Sequence, residues 1–149
     1  DNNRWELRNR TSLNLGETAL PADIREWSAN LFVNQVIKYT GEALKDSTEL
    51  LKTSSRTYIP FVELGETSEY YHHDMYHLLA TRGIVALQQV AGLDRATPVE
   101  DISEDSSAEK ESSVKQDIIA IYGNMIAAYK ASGLKEGYVL TALSYLEWT

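Results

Sequence analysis

At 149 residues the chain is the size of one ordinary domain, and with no cysteine it excludes disulfides, thiolate zinc sites, iron–sulfur clusters and cysteine nucleophiles. Its 14 lysines and arginines against 22 aspartates and glutamates leave a formal charge of −8, and the cations never cluster, which excludes nucleic-acid binding through a basic patch. No apolar run approaches the ~20 residues of a membrane span. No stretch reads as a signal peptide, and Asp1 in place of an initiator Met predicts a chain trimmed, processed or numbered from an internal residue. Localisation stays open on this composition.

Residues 1–20 show no helical period, and Trp5, Leu7, Leu13 and Leu15 predict an extended N-terminal arm. Pro21 suits the first turn of a helix, with Asp23 and Glu26 favourable near its positive end. From there Trp27, Leu31, Val33, Ile37, Thr40, Leu44 and Leu51 follow one helical stripe, which the Thr53-Ser54-Ser55 cluster should end. Arg56 to Leu64 reads as an extended stretch, where Pro60 argues against a central strand. Thr67 or Ser68 is expected to cap the next helix, running to about Val90 with Gly92 as its stop signal.

Thr97-Pro98-Val99-Glu100 matches a capping box. The stretch 100–113 holds six carboxylates against one lysine and reads as a flexible acidic linker. Beyond it Val114, Ile118, Ile121, Met125 and Ala128 predict a helix apolar enough to be the central one, ended by Gly133. Tyr138, Val139, Leu143, Leu146 and Trp148 predict a last short helix. The expectation is all-α: a four- or five-helix bundle with an extended N-terminal arm, residues 21–149 forming a single domain.

All three histidines fall within six residues: His72, His73 and His77. On a helix advancing about 100° per residue, Glu69, His73 and His77 make one stripe. Two imidazoles and a carboxylate so placed are a candidate site for a divalent transition metal such as Zn²⁺. Glu69-x-x-His72 also has the spacing of half a ferritin-like di-iron site, but no further histidine exists to complete it within one chain. With Met75 set at zero, Tyr71, Leu78, Leu79, Arg82, Ala86 and Gln89 are the expected core face. Tyr70, His73, His77, Ile84 and Leu87 then lie on the far side, a composition that suits a partner-binding surface. Tyr70, Tyr76 and Trp5 are the aromatics expected to be least buried.

Tyr71-His72-His73-Asp74-Met75-x-x-Leu78-Leu79 resembles the phospho-accepting helix of sensor histidine kinases, which implies phosphotransfer with His73 as acceptor. Asp101-x-Ser103-x-Asp105 is similar to the start of a calcium-binding EF-hand loop, but Ser106 and Ser112 stand where glycine and a bidentate glutamate are required. No glycine-rich phosphate loop or nucleophile elbow is present. Without a complete catalytic set, the expected function is a non-enzymatic protein–protein interaction module. It would be an assembly subunit or an inhibitor, binding another protein or itself through one face of the histidine helix. The alternatives are a small metal-binding helical protein and a histidine phosphotransfer domain.

Overall fold

The computed structural model describes residues 23–59, 61, 63, 65–91 and 104–149. The arm expected at 1–20 and the capping box at Thr97 lie outside the described residues. Among the described residues there are five helices and no strand: α1 Ala29–Leu44, α2 Ser47–Lys52, α3 Met75–Ala91, α4 Glu104–Ser132 and α5 Lys135–Trp148. None of them is long and apolar enough to cross a membrane.

The single helix expected from Pro21 to Leu51 is broken twice. Ser28 has extended backbone, and its hydroxyl accepts the Leu31 amide at 3.2 Å, so α1 starts there and the 3-10 turn Ile24–Glu26 stays separate. At Lys45-Asp46 the chain turns, and the Asp46 carbonyl accepts the Glu49 and Leu50 amides to restart it as α2. The stretch after Arg56, expected to be extended, begins instead within a 3-10 turn, Ser55–Tyr58.

Helix α3 packs against α1, α2 and α4, and α4 packs in turn on α5. The central position expected for α4 therefore belongs to α3. Its buried side chains, Tyr76, Ala80, Ile84, Leu87 and Val90, follow a 4-4-3-3 spacing, with His77 beside them. The first four meet Val114, Ile118, Ile121, Tyr122 and Met125 of α4 on one side and Val36 and Ile37 of α1 on the other, while Val90 packs with Val33 of α1. Burial of an Ile or Leu side chain of this kind is worth roughly 1.5–3 kcal/mol.

This orientation corrects the expected one. Ile84, Leu87 and His77, assigned above to a partner-binding face, lie in the interior, as does Tyr76. The reason is the cost of burying polar groups. The Met75 stripe would have carried Arg82 and Gln89 into the core, whereas the stripe from Tyr76 to Val90 holds no charged residue. Arg82 and Gln89 are exposed.

On α4 the expected stripe holds: Val114, Ile118, Ile121 and Met125 are buried, joined by Tyr122 and Tyr129. From Glu104 the acidic stretch is helix, and residues 100–103 lie outside the described residues. Carboxylates in the first turns of a helix are favoured by its positive end, so the charge run is compatible with the start of α4. Gly133, at φ +73°, ends α4 in the left-handed conformation that glycine adopts without steric cost. Leu134 follows, and α5 folds back along α4. Gly137 lies against the ring of Tyr129 and the carbonyl of Tyr70, where any β-carbon would collide with backbone.

Candidate metal centre

The histidines do not share one helix. Glu66–Glu69 is a 3-10 turn of its own, the backbone is irregular through Tyr70–His73, and α3 begins only at Met75. The four-residue spacing of Glu69, His73 and His77 is therefore not a helical stripe. Glu69 reaches sideways to Arg56, at 2.9 Å, on the surface. Asp74 takes the place expected for it.

Asp74 is the N-cap of α3. Its Oδ1 accepts the His77 amide at 2.8 Å, the bond an aspartate at this position makes to the third residue of a helix. Capping alone explains an aspartate here. It does not explain two imidazoles on the same carboxylate. His77 Nδ1 lies 2.9 Å from Oδ1 and 2.8 Å from Oδ2, and His73 Nε2 lies 3.0 Å from Oδ2. Asp74 and His77 are buried, with side-chain exposures of 4% and 1%, while His73 keeps 29%.

The surroundings hold this group in place. Ser55 Oγ donates to the His72 carbonyl at 2.6 Å, the Ser55 amide to the His73 carbonyl at 3.1 Å, and the Met75 amide to the Thr53 carbonyl at 2.9 Å. Tyr129 Oη donates to the Tyr71 carbonyl from the opposite side. Its ring stacks on His77 with centroids 3.6 Å apart. Burial pushes the Tyr129 phenol well above its ordinary value, so it stays a donor. Three consecutive carbonyls, those of Tyr71, His72 and His73, are thus tied to α4 or to the Thr53-Ser54-Ser55 segment, which leaves the approach to α3 little freedom.

The donor pattern on His77 is specific. Its Nε2–H donates to the Met125 carbonyl at 3.3 Å, which directs Nδ1 at Asp74. A lone pair on Nδ1 facing a carboxylate needs a cation, and either a proton or a metal ion supplies it. A second ring nitrogen anchored on a backbone carbonyl is the usual support of a metal-binding histidine. Burial holds His73 below the ordinary histidine value, more strongly than the Asp74 carboxylate raises it, so His73 is neutral at pH 7. Neutral imidazole is the ligand form. His72 is set apart: Thr81 Oγ1 donates to the His77 carbonyl at 2.9 Å and so accepts from His72 Nε2 at 3.1 Å.

One donor atom from each of His73, Asp74 and His77 lies within 4.8 Å of the other two, so the trio could hold a metal ion. Ligand atoms about 2.1 Å from a metal are ~3.0 Å apart at right angles and ~3.4 Å apart in a tetrahedron. The two spacings to Asp74, 2.8 and 3.0 Å, are also hydrogen-bond distances, and three ligands are fewer than the four that Zn²⁺ would take. His73 and Asp74 line a cleft of about 390 Å³, whereas His77 lies behind them in the core. Of the residues predicted as ligands, His73 and His77 come together and Glu69 stands on the rim of that cleft. Local pattern does not reveal Asp74, because a helix starting at Thr67 or Ser68 places it in the interior, although aspartate is among the preferred N-cap residues. Comparisons with protein-family models, curated proteins and solved structures return no match.

Proposed function

We propose that this is a small helical metal-binding protein that holds a divalent transition metal, such as Zn²⁺, on His73 Nε2, Asp74 and His77 Nδ1. The observation that carries the reading is the convergence of two imidazoles on one buried carboxylate, with His77 anchored from behind by Met125. Phosphotransfer through His73 finds less support. Its Nε2 faces Asp74 and its Nδ1 is buried, so neither nitrogen is open to an incoming phosphoryl group. Native mass spectrometry before and after EDTA tests the proposal. The parent protein should carry one metal ion that EDTA removes, and His73→Ala should carry none while keeping its helical circular dichroism. A parent that takes up no metal, or a His73→Ala protein that binds it equally well, would sink the reading.

A second reading, assembly with a like or unlike partner, rests on α5 and not on the histidine helix. Val139, Leu143 and Leu146 form an outward stripe with exposures of 50%, 52% and 68%. Leucines this exposed, spaced along one helix face, suit an interface. If the stripe is used, size-exclusion chromatography with light scattering finds an assembly in the parent that Leu143→Lys with Leu146→Lys dissociates. A monomeric parent with no partner-dependent change in size would count against it.

A further inference from the structure

The cleft in front of the trio has a chemistry of its own. Besides His73 and Asp74 it is lined by Leu51, Lys52, Ser54, Arg56, Ser68 and Glu69. In a chain of net charge −8, two cations rim this opening. Among the described residues each pairs with an exposed carboxylate: Lys52 with Glu49 at 3.0 Å and Arg56 with Glu69 at 2.9 Å, with more than half of every side chain in solvent. Exposed pairs of this kind are weak, so both cations can exchange their carboxylates for the oxygens of a ligand at little cost. Asp74, the other carboxylate on the lining, is committed to the two histidines.

We infer that the cleft binds a small oxyanion, a phosphate or a carboxylate, which fills an open metal position with one oxygen and takes charge-assisted hydrogen bonds from Arg56 with another. This rests on the metal reading. A divalent ion with one carboxylate and two neutral imidazoles carries a net positive charge, and Lys52 and Arg56 add to it on the solvent side. Arginine is suited to the outer contact because its planar fork matches two oxygens of one phosphate or carboxylate. Ser54 and Ser68 add hydroxyls along the wall. Glu69 acts as a gate ligand: it occupies Arg56 until an anion displaces it.

Cobalt(II) serves as the probe, because its visible absorption reports both binding and a change of ligand. The protein is loaded with Co²⁺ and then titrated with inorganic phosphate and, separately, with acetate, at fixed ionic strength with chloride as the balancing anion. The expected result is a saturable change in the cobalt bands. Arg56→Gln should weaken it about tenfold or more, and Glu69→Gln should strengthen it by freeing Arg56. The anion that saturates at lower concentration identifies phosphate or carboxylate as the natural chemistry. Cobalt bands that form but ignore both anions, or that respond equally in the parent, Arg56→Gln and Glu69→Gln, overturn this inference alone. Failure of cobalt bands to form overturns the metal reading and this one with it.

Discussion

Asp74→Ala is expected to lower the stability of the fold by about 2–4 kcal/mol, a lost helix cap together with a buried imidazole nitrogen left without its partner. The carboxylate has three duties at once. It caps α3 through the His77 amide, it pairs with the His77 ring, and it accepts from His73. Loss of the cap alone costs about 1 kcal/mol. The remainder comes from His77, which cannot reach water and is left with Nδ1 facing nothing. Asp74→Asn separates the duties, since its amide oxygen can still accept the His77 N–H while its NH₂ replaces an oxygen between the rings. It should recover part of the stability and none of the metal binding. Urea denaturation followed by circular dichroism measures the first, and metal content the second. A Asp74→Ala protein within about 1 kcal/mol of the parent would mean that Asp74 is no more than a cap.

Tyr129→Ala is expected to cost about 3–5 kcal/mol, the range for removing a buried aromatic ring. Tyr129 is fully buried, lies against His77, and forms part of the seat of Gly137 on α5. Its loss would loosen α4 from α5 and open the floor behind the metal ligands together. Tyr129→Phe keeps the ring and removes only the hydrogen bond to the Tyr71 carbonyl, at about 1–2 kcal/mol. The contrast between the two variants divides packing from hydrogen bonding. Equal losses in both would show that the hydroxyl, and not the ring, secures this corner of the fold.

Much of the helical content was legible in the sequence, because α4 and its buried stripe follow from periodicity and Gly133 ends it as glycine should. The orientation of α3 was not, for a physical reason. Its sequence is apolar on both sides, and a histidine reads as polar although His77 is wholly buried once its two nitrogens are partnered. The absence of charge from Tyr76, Ala80, Ile84, Leu87 and Val90 was the available signal, and Arg82 and Gln89 on the rival stripe supported it. Helix boundaries failed where a side chain, and not hydrophobicity, decided them: Ser28 and Asp74 each accept an amide and start a helix. His73 and His77 were singled out by clustering alone. Their common partner was hidden because it depends on where α3 begins. Long-range supports such as Ser55, Tyr129 and the Met125 carbonyl leave no mark in a local pattern.

The most direct measurement is X-ray diffraction from crystals grown with Zn²⁺, collected on both sides of the zinc absorption edge. The anomalous difference should show one strong peak about 2.0–2.2 Å from His73 Nε2, an Asp74 oxygen and His77 Nδ1, open on the side of the cleft lined by Arg56 and Lys52. No peak at the trio, with His77 still hydrogen-bonded to Asp74 at full zinc occupancy of the crystal solution, would show that the three side chains are a capped helix start and nothing more.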